Sequence, residues 1–311
     1  MSLRSTTSKG VLLTLLGGTL WGLISIFVRG LSSLGLSSLD ITGLRSLCAG
    51  LALLATAPLI DRQAMKIKLQ DIWCMVGCGI VSISLFNLCY FAAIQLTTVN
   101  ISVVLLYTSP IFITLFSCIF FGETFTRWKL LSLVMVTLGC VLVSGMLSGG
   151  EVRLSPLGLL LGLGSGLFYG LYSIFGRFAQ QRDYSSLSIT LWAFIFAGGA
   201  SLLFINYPRV LPVLSQPQAW LYLVGLVLFS TILPYCAYTA GLRLLPPSVA
   251  AITVAVEPIV GTLVGTLFFH EPLPLAAVCG MILIIVAMPV SRKTTADADV
   301  TEKKEESNVI V

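Results

Sequence analysis

The sequence predicts an all-α integral membrane protein with ten transmembrane helices, arranged as two inverted five-helix repeats. Three observations lead to this fold class. First, 57% of the 311 residues are hydrophobic and only 10% are charged, whereas about 25% of the residues in a soluble domain are charged. Second, apolar stretches long enough to cross a bilayer of about 30 Å recur along the chain. Third, the two halves of the chain resemble each other at a constant spacing.

Each predicted helix is an apolar stretch of about 20 residues with polar or charged residues at its ends. The ten stretches are residues 10–31, 40–60, 71–94, 99–121, 129–147, 157–178, 187–207, 218–241, 248–269 and 273–290. The first stretch follows two basic residues, as a signal peptide would. Because it is longer than the apolar region of a signal peptide and nine further stretches follow, we expect it to be retained.

The clearest repeat is WGLISIFVR at residues 21–29, which returns as YGLYSIFGR at residues 169–177. The same spacing of 148 positions continues without insertion along both halves. It relates Tyr90 to Tyr238, Pro110 to Pro258 and Glu123 to Glu271. Because each copy contains five helices, an odd number, the second copy is expected to enter the membrane from the opposite face. Inverted repeats are typical of transporters that expose one central site to each side in turn.

Short motifs lie at matching places in the two copies. SPIF and EPIV occur within the fourth and ninth helices, and FFGE and FFHE end these helices at residues 120–123 and 268–271. Together with the double five-helix unit, these motifs resemble the EamA family of the drug/metabolite transporter superfamily over residues 10–291. The resemblance implies a ten-helix, exporter-like carrier of small metabolites, and it leaves the metabolite open.

The repeat also gives the expected domain organisation. Residues 1–9 are predicted to be a cytoplasmic amino-terminal tail and residues 10–147 the first EamA-like repeat. Residues 148–156 are predicted to be an outer connecting loop, and residues 157–291 the second repeat. Residues 292–311 are polar and mixed in charge, so we expect a disordered cytoplasmic tail.

The distribution of basic residues predicts the orientation in the membrane. With both termini in the cytoplasm, the outer side holds only Arg29, Arg153 and Arg209, and the remaining basic side chains of tails and loops lie inside. This agrees with the positive-inside rule. The net charge of +5 is therefore explained by a bilayer, without a nucleic-acid partner. We expect a multi-pass protein of the plasma (inner) membrane.

Two charged residues are predicted to lie well inside the bilayer. Glu257 is about nine residues into the ninth helix, where a charge costs about 2.5–3.5 kcal/mol unless it is paired, protonated or hydrated. A proton-coupling or amine-binding role and a purely structural role both remain open for it. Arg45, in the second helix, either reaches Glu257 as a gate or substrate clamp or extends to the outer headgroups.

Prolines and aromatic residues indicate where a substrate cavity lies. Pro110 and Pro258 occupy equivalent positions, Pro234 interrupts the eighth helix, and matched breaks in two halves point to the central site. Aromatic and polar groups at similar depth suit a small organic solute that is aromatic or cationic, although packing between helices is the alternative role for each. The predicted cavity residues are Trp21, Arg45, Asn87, Tyr90, Tyr107, Tyr169, Tyr172, Tyr235, Tyr238 and Glu257.

The predicted function is secondary transport of a small organic metabolite or drug by alternating access, in the outward direction; coupling to protons through Glu257 is a further hypothesis. The sequence lacks an HExxH motif and paired catalytic carboxylates, and its single histidine, His270, cannot form a metal site alone. We therefore expect no enzyme, no cofactor and no metal; the expected partners are lipid, a small-molecule substrate and protons. The alternatives are a facilitative, channel-like pore and a flippase for lipids or lipid-linked sugars.

Overall fold

The computed structural model of the chain describes residues 3–146 and 155–291. Helices make up most of these two ranges, and no strand occurs within them. Seven helical segments are long and apolar enough to cross a membrane. The predicted all-α class of a membrane protein is confirmed at this level, whereas the count of ten spans stays a prediction.

The ten principal helices are numbered in chain order. Those of the first described range are α1 (Thr6–Ser33), α2 (Ser38–Ile60), α3 (Leu69–Leu96), α4 (Val99–Phe121) and α5 (Arg127–Val143). Those of the second range are α6 (Pro156–Gln180), α7 (Ser186–Ser201), α8 (Pro217–Leu244), α9 (Pro247–Phe269) and α10 (Leu275–Ser291). Each predicted stretch overlaps one of them, and α5, α7 and α10 are shorter than the seven long segments.

The helix bounds differ from the prediction in several places. The helix that opens α1 begins at Leu3, inside the predicted tail of residues 1–9. α7 ends at Ser201, before the predicted end at residue 207, and a short helix, Tyr207–Leu214, follows it. The predicted loop 148–156 is described only at residues 155 and 156, and the predicted tail 292–311 lies outside the described residues.

Polar residues just before the helices determine where several of them begin. Ser37 accepts a hydrogen bond from the backbone N–H of Asp40, and the Asp40 carboxylate accepts one from Ser37, which forms a capping box for α2. Thr98 and Ser155 also accept hydrogen bonds from backbone N–H groups at the starts of α4 and α6. Arg209 donates to Asp40 at 3.1 Å, so the short helix after α7 is tied to the start of α2.

Two equivalent helices, α4 and α9, are interrupted at their centres. α4 breaks at Tyr107 and Thr108, and α9 breaks at Ala255 and Val256. Pro110 and Pro258 lie in the first turn of the helical segments that follow. Proline suits this position because it lacks the N–H that would have no helical partner there. The breaks free backbone groups in the middle of the helix bundle.

Two other equivalent helices, α3 and α8, contain wide π-helical turns at Gly77–Leu85 and Leu228–Ile232. Pro234 follows the turn in α8. The turn in α3 was not predicted, because no proline lies near it. Such turns add a residue to the local helical repeat and are frequent at functional sites.

The two halves of the chain interlock. α1 packs against α8, α6 packs in the equivalent way against α3, and α2 packs against α7. One hydrophobic core includes Trp21 and Leu53 from the first half and Phe194 and Leu226 from the second. The interior of the protein is therefore shared between the halves.

Two adjacent glycines of α7 test the contact between α2 and α7. A Cβ on Gly198 would lie 3.0 Å from the Cα of Leu47, whereas a Cβ on Gly199 would meet nothing within 4 Å. We expect Gly198→Leu to push the helices apart, at a cost of about 1–3 kcal/mol, and to lower the thermal unfolding temperature in detergent by roughly 2–10 °C. Gly199→Leu is the control and should change stability by less than about 0.5 kcal/mol. Equal losses in both variants would contradict this close contact.

Candidate functional site

A cavity of about 450 Å³ lies among the helices of the first half. α1, α2, α3 and α4 form most of its wall, and α6, α8 and α9 contribute one residue each. The cavity extends as far as Arg29 and Val99, which lie near the end of α1 and the start of α4. The predicted cavity residues that line it are Trp21, Arg45, Asn87, Tyr90, Tyr107, Tyr169, Tyr235 and Glu257.

Two of the predicted cavity residues, Tyr172 and Tyr238, lie outside this cavity. They line a small adjoining pocket. There the Tyr172 hydroxyl is 3.0 Å from Thr239 Oγ1, and the Tyr238 hydroxyl is 2.6 Å from Ser173 Oγ. These hydrogen bonds join α6 to α8, so the two tyrosines form a floor beneath the cavity. They were predicted from their depth along the helix, and depth does not show which side of the helix a residue occupies.

Glu257 lies where α9 resumes after its break. It occupies the first turn of the segment Glu257–Phe269, beside backbone N–H groups that have no helical partner and at the positive end of the helix dipole. The Tyr169 hydroxyl donates a hydrogen bond to Glu257 Oε2 at 3.2 Å. No ion pair to Glu257 occurs within residues 3–146 and 155–291. The carboxyl group therefore faces the cavity with hydrogen-bond donors but without a basic partner.

Arg45 lies on the cavity wall and is only 7% exposed. Its Nε is buried without a hydrogen-bond partner, and the described residues provide no ion pair for its guanidinium. The structure thus brings Arg45 and Glu257 to one cavity but does not pair them. Burying a charge without a partner is costly, and such a group on a cavity wall favours a role in binding.

Aromatic rings form much of the remaining wall. The rings of Trp21 and Tyr235 meet edge to face at 4.9 Å, and those of Phe86 and Tyr169 at 5.3 Å. Edge-to-face contacts hold rings rigidly at low cost. Phe86 was not predicted as a cavity residue, because one more phenylalanine in an apolar helix carries no signal. A largely apolar wall with a few polar groups is typical of sites for small organic molecules.

Glutamates end α4 and α9 at equivalent positions, but their surroundings differ. Glu123 accepts a hydrogen bond from Lys129 Nζ at 2.7 Å, with side chains that are 10% and 4% exposed, and also accepts one from the Ser248 hydroxyl. Glu271 instead pairs with Arg29, and both of those side chains are about half exposed. The end of α4 is therefore held by a buried network and the end of α9 by a surface pair.

The described residues contain no group of three or more His, Cys, Asp or Glu side chains placed to hold a metal ion. The cavity presents one carboxyl group, that of Glu257, two guanidinium groups, those of Arg29 and Arg45, several hydroxyl groups and aromatic rings. This set can bind and orient a solute. These features define a helical membrane protein with a solute-sized cavity between its helices.

The family follows from a comparison of the sequence with known proteins. The profile of the EamA-like transporter family matches the chain twice, at residues 8–145 and at residues 156–291. The protein belongs to this family, as its motifs predicted. It is therefore a multi-pass integral membrane protein of a transporter family.

Relatives from distant organisms are similar along most of their length. A protein of Archaeoglobus fulgidus named "Uncharacterized transporter" is 27% identical over 289 residues, which cover 88% of this chain and 92% of the relative. "Uncharacterized transporter YetK" of Bacillus subtilis is 22% identical over 264 residues, covering 83% and 79%. A solved crystal structure has the same fold, with a TM-score of 0.78, 18% identity and coverage of 91% of this chain and 96% of that one.

Proposed function

We propose that the protein is a secondary transporter that moves a small organic solute across the plasma membrane by alternating access. The observation that carries this proposal is the cavity on whose wall Arg45 and Glu257 lie without being paired to each other. A purely structural pair would be held together in good geometry, because separated buried charges destabilise a fold. A carrier, in contrast, keeps such groups available for its substrate.

Alternating access requires two similar states, and the internal repeat offers a way to make them. Five predicted spans in residues 10–147 and five in residues 157–291 would insert in opposite directions, with both termini in the cytoplasm. Matched breaks in α4 and α9, matched π-helical turns in α3 and α8, and matched packing of α1 on α8 and α6 on α3 support this arrangement. Exchanging the conformations of the halves would move the opening of the cavity from one face to the other.

The chemistry of the cavity favours a solute with both an ammonium and a carboxylate group. The guanidinium of Arg45 suits a carboxylate, which it binds through two parallel hydrogen bonds. The carboxylate of Glu257 suits an ammonium group. Trp21 and Phe86 offer aromatic surface to the apolar part of the solute, and a cation gains further stabilisation over a ring face. The volume of about 450 Å³ admits a small molecule.

The same carboxylate gives a route to proton coupling and to export. Glu257 binds either a proton or the ammonium group of the solute, but not both at once. A proton that enters from the outside therefore releases the solute there, and loss of the proton on the inside makes the site ready for the next solute. Under an inward proton gradient this exchange moves solute out of the cell.

A counterflow screen in proteoliposomes tests the proposal. Amino acids, nucleosides, amines and dyes are offered with and without a pH gradient. We expect saturable counterflow, strongest for zwitterions and accelerated by a gradient. Flux that rises linearly with concentration without counterflow would instead indicate a pore, activity on amphiphiles alone would indicate a flippase, and a covalently changed solute would indicate an enzyme.

A further inference from the structure

Two residues that form the floor beneath the cavity have equivalents, 148 positions earlier, on the wall of the open cavity. One of the two hydrogen bonds that close the floor is the 2.6 Å contact between Ser173 Oγ of α6 and the Tyr238 hydroxyl of α8. The residues 148 positions earlier are Ser25 of α1 and Tyr90 of α3. α6 and α8 are in contact, whereas over the described residues α1 makes no comparable contact with the segment of α3 that carries Tyr90.

Both hydroxyl groups of the equivalent pair are without partners in the described part of the chain. Ser25 Oγ is buried and makes no hydrogen bond to any described residue. The Tyr90 hydroxyl makes none either to any residue of the two described ranges. Both side chains line the cavity. Buried hydroxyl groups in folded proteins almost always have partners, so an unbonded Ser25 suggests a partner that is met in another conformation.

A second pair of equivalent contacts shows the same difference. Glu123, at the end of α4, accepts hydrogen bonds from the side chain and the backbone N–H of Ser248, near the start of α9. The residues equivalent to them are Glu271 and Asn100. Glu271 is paired with Arg29 in this structure, and the exposed Asn100 makes no side-chain hydrogen bond within the described part of the chain. One set of contacts is thus formed and its counterpart is open.

We propose that Ser25 and Tyr90 form the gate that closes the open side of the cavity. In the opposite state their hydroxyl groups bond to each other, Glu271 turns from Arg29 to Asn100, and the bond between Ser173 and Tyr238 opens. This inference rests on the proposed alternating access and deepens it, because it names the hydrogen bonds that distinguish the two states. The internal repeat predicts which partner each of these groups meets in the opposite state. The contacts Ser173–Tyr238 and Glu123–Ser248, which are formed in this structure, show the geometry that the new contacts would have.

The test measures how open the cavity is, without any substrate. A reporter cysteine, Val28→Cys, lines the cavity on α1. Its rate of reaction with a bulky, membrane-impermeant maleimide is measured in lipid nanodiscs, and peptide mass spectrometry separates it from the eight native cysteines. Tyr238→Phe removes this floor bond and should slow labelling by up to about tenfold, because labelling follows the open fraction and one hydrogen bond shifts the equilibrium constant by about threefold to tenfold. Ser173→Ala removes the same bond from its other side and provides a second measurement if the first variant does not fold.

The gate itself is tested in the Tyr238→Phe background. Adding Ser25→Ala or Tyr90→Phe should restore fast labelling, and both together should restore it no further than either alone. Ser33→Ala, an exposed serine on α1, is the matched control and should leave labelling slow. The proposed gate is contradicted if a folded Tyr238→Phe or Ser173→Ala variant is labelled at the original rate. It is also contradicted if neither Ser25→Ala nor Tyr90→Phe restores fast labelling, or if the effects of these two substitutions on the labelling rate add. A counterflow screen without any transported solute would reject the proposed carrier function, whereas the labelling rates do not depend on a substrate and would still test the gate.

Discussion

Glu257→Gln is expected to abolish the effect of a pH gradient on transport and to lower solute accumulation by about tenfold or more. Glutamine keeps the size of the side chain and still accepts a hydrogen bond from Tyr169, but it neither takes up a proton nor carries charge. Losing a charged hydrogen-bond partner for an ammonium group costs about 1.5–3 kcal/mol, which is about tenfold to hundredfold in affinity. The measurement is uptake into proteoliposomes with and without an imposed gradient.

Tyr169→Phe is the matched control for this experiment. It removes the hydroxyl group that donates to Glu257 Oε2 at 3.2 Å but leaves the carboxyl group in place. Transport in this variant should still respond to the gradient, although its rate changes. If Glu257→Gln folds and responds to the gradient as the unaltered protein does, another group couples the proton and the proposed role of Glu257 is wrong.

The features that the sequence predicted well are those with a large free-energy cost. An apolar stretch of about 20 residues has few alternatives to a membrane helix, so every predicted stretch overlaps a helix. A charge or a proline inside such a stretch needs a special environment. For this reason Arg45 and Glu257 are found at the cavity, and Pro110 and Pro258 follow the two breaks.

Features that depend on the rotation of a helix about its axis were harder to predict. The π-helical turn Gly77–Leu85 adds a residue to the repeat of α3 and changes which side chains after it face the cavity. No proline signals that turn. Tyr172 and Tyr238 are bonded into the floor by Thr239 and Ser173, and only their contacts reveal it. The Ser25 hydroxyl was equally hidden, although it belongs to the repeated stretch at residues 21–29.

The internal repeat explains one backbone conformation that residue type alone does not. Gly122 and His270 occupy equivalent positions, and both have a left-handed backbone conformation, with φ of 67° and 54°, at the ends of α4 and α9. Glycine adopts this conformation freely, whereas other residues rarely do. The conformation of His270 is therefore explained by its place in the repeat and not by its own preference.

Arg45→Met is expected to change stability and transport in opposite directions. The guanidinium is buried, and within the described residues its Nε has no hydrogen-bond partner and no ion pair to it is formed. Methionine fills a similar length without a charge, and removing an unsatisfied buried polar group recovers about 1–3 kcal/mol. The thermal unfolding temperature in detergent should therefore rise by roughly 2–10 °C. Transport of solutes with a carboxylate should fall about tenfold to hundredfold, because their strongest hydrogen-bond donor is lost.

The selectivity of the loss distinguishes a binding role from a structural one. Arg45→Met should weaken counterflow by zwitterions while it affects amines without a carboxylate much less, because those solutes depend on Glu257. Arg45→Lys is the matched control: it keeps the positive charge but not the two parallel donors, so it should retain part of the zwitterion transport. A variant Arg45→Met that unfolds at a lower temperature than the unaltered protein would show that Arg45 has a partner which stabilises the fold. Its assignment to the substrate carboxylate would then be wrong, since the charge would be held by the protein itself.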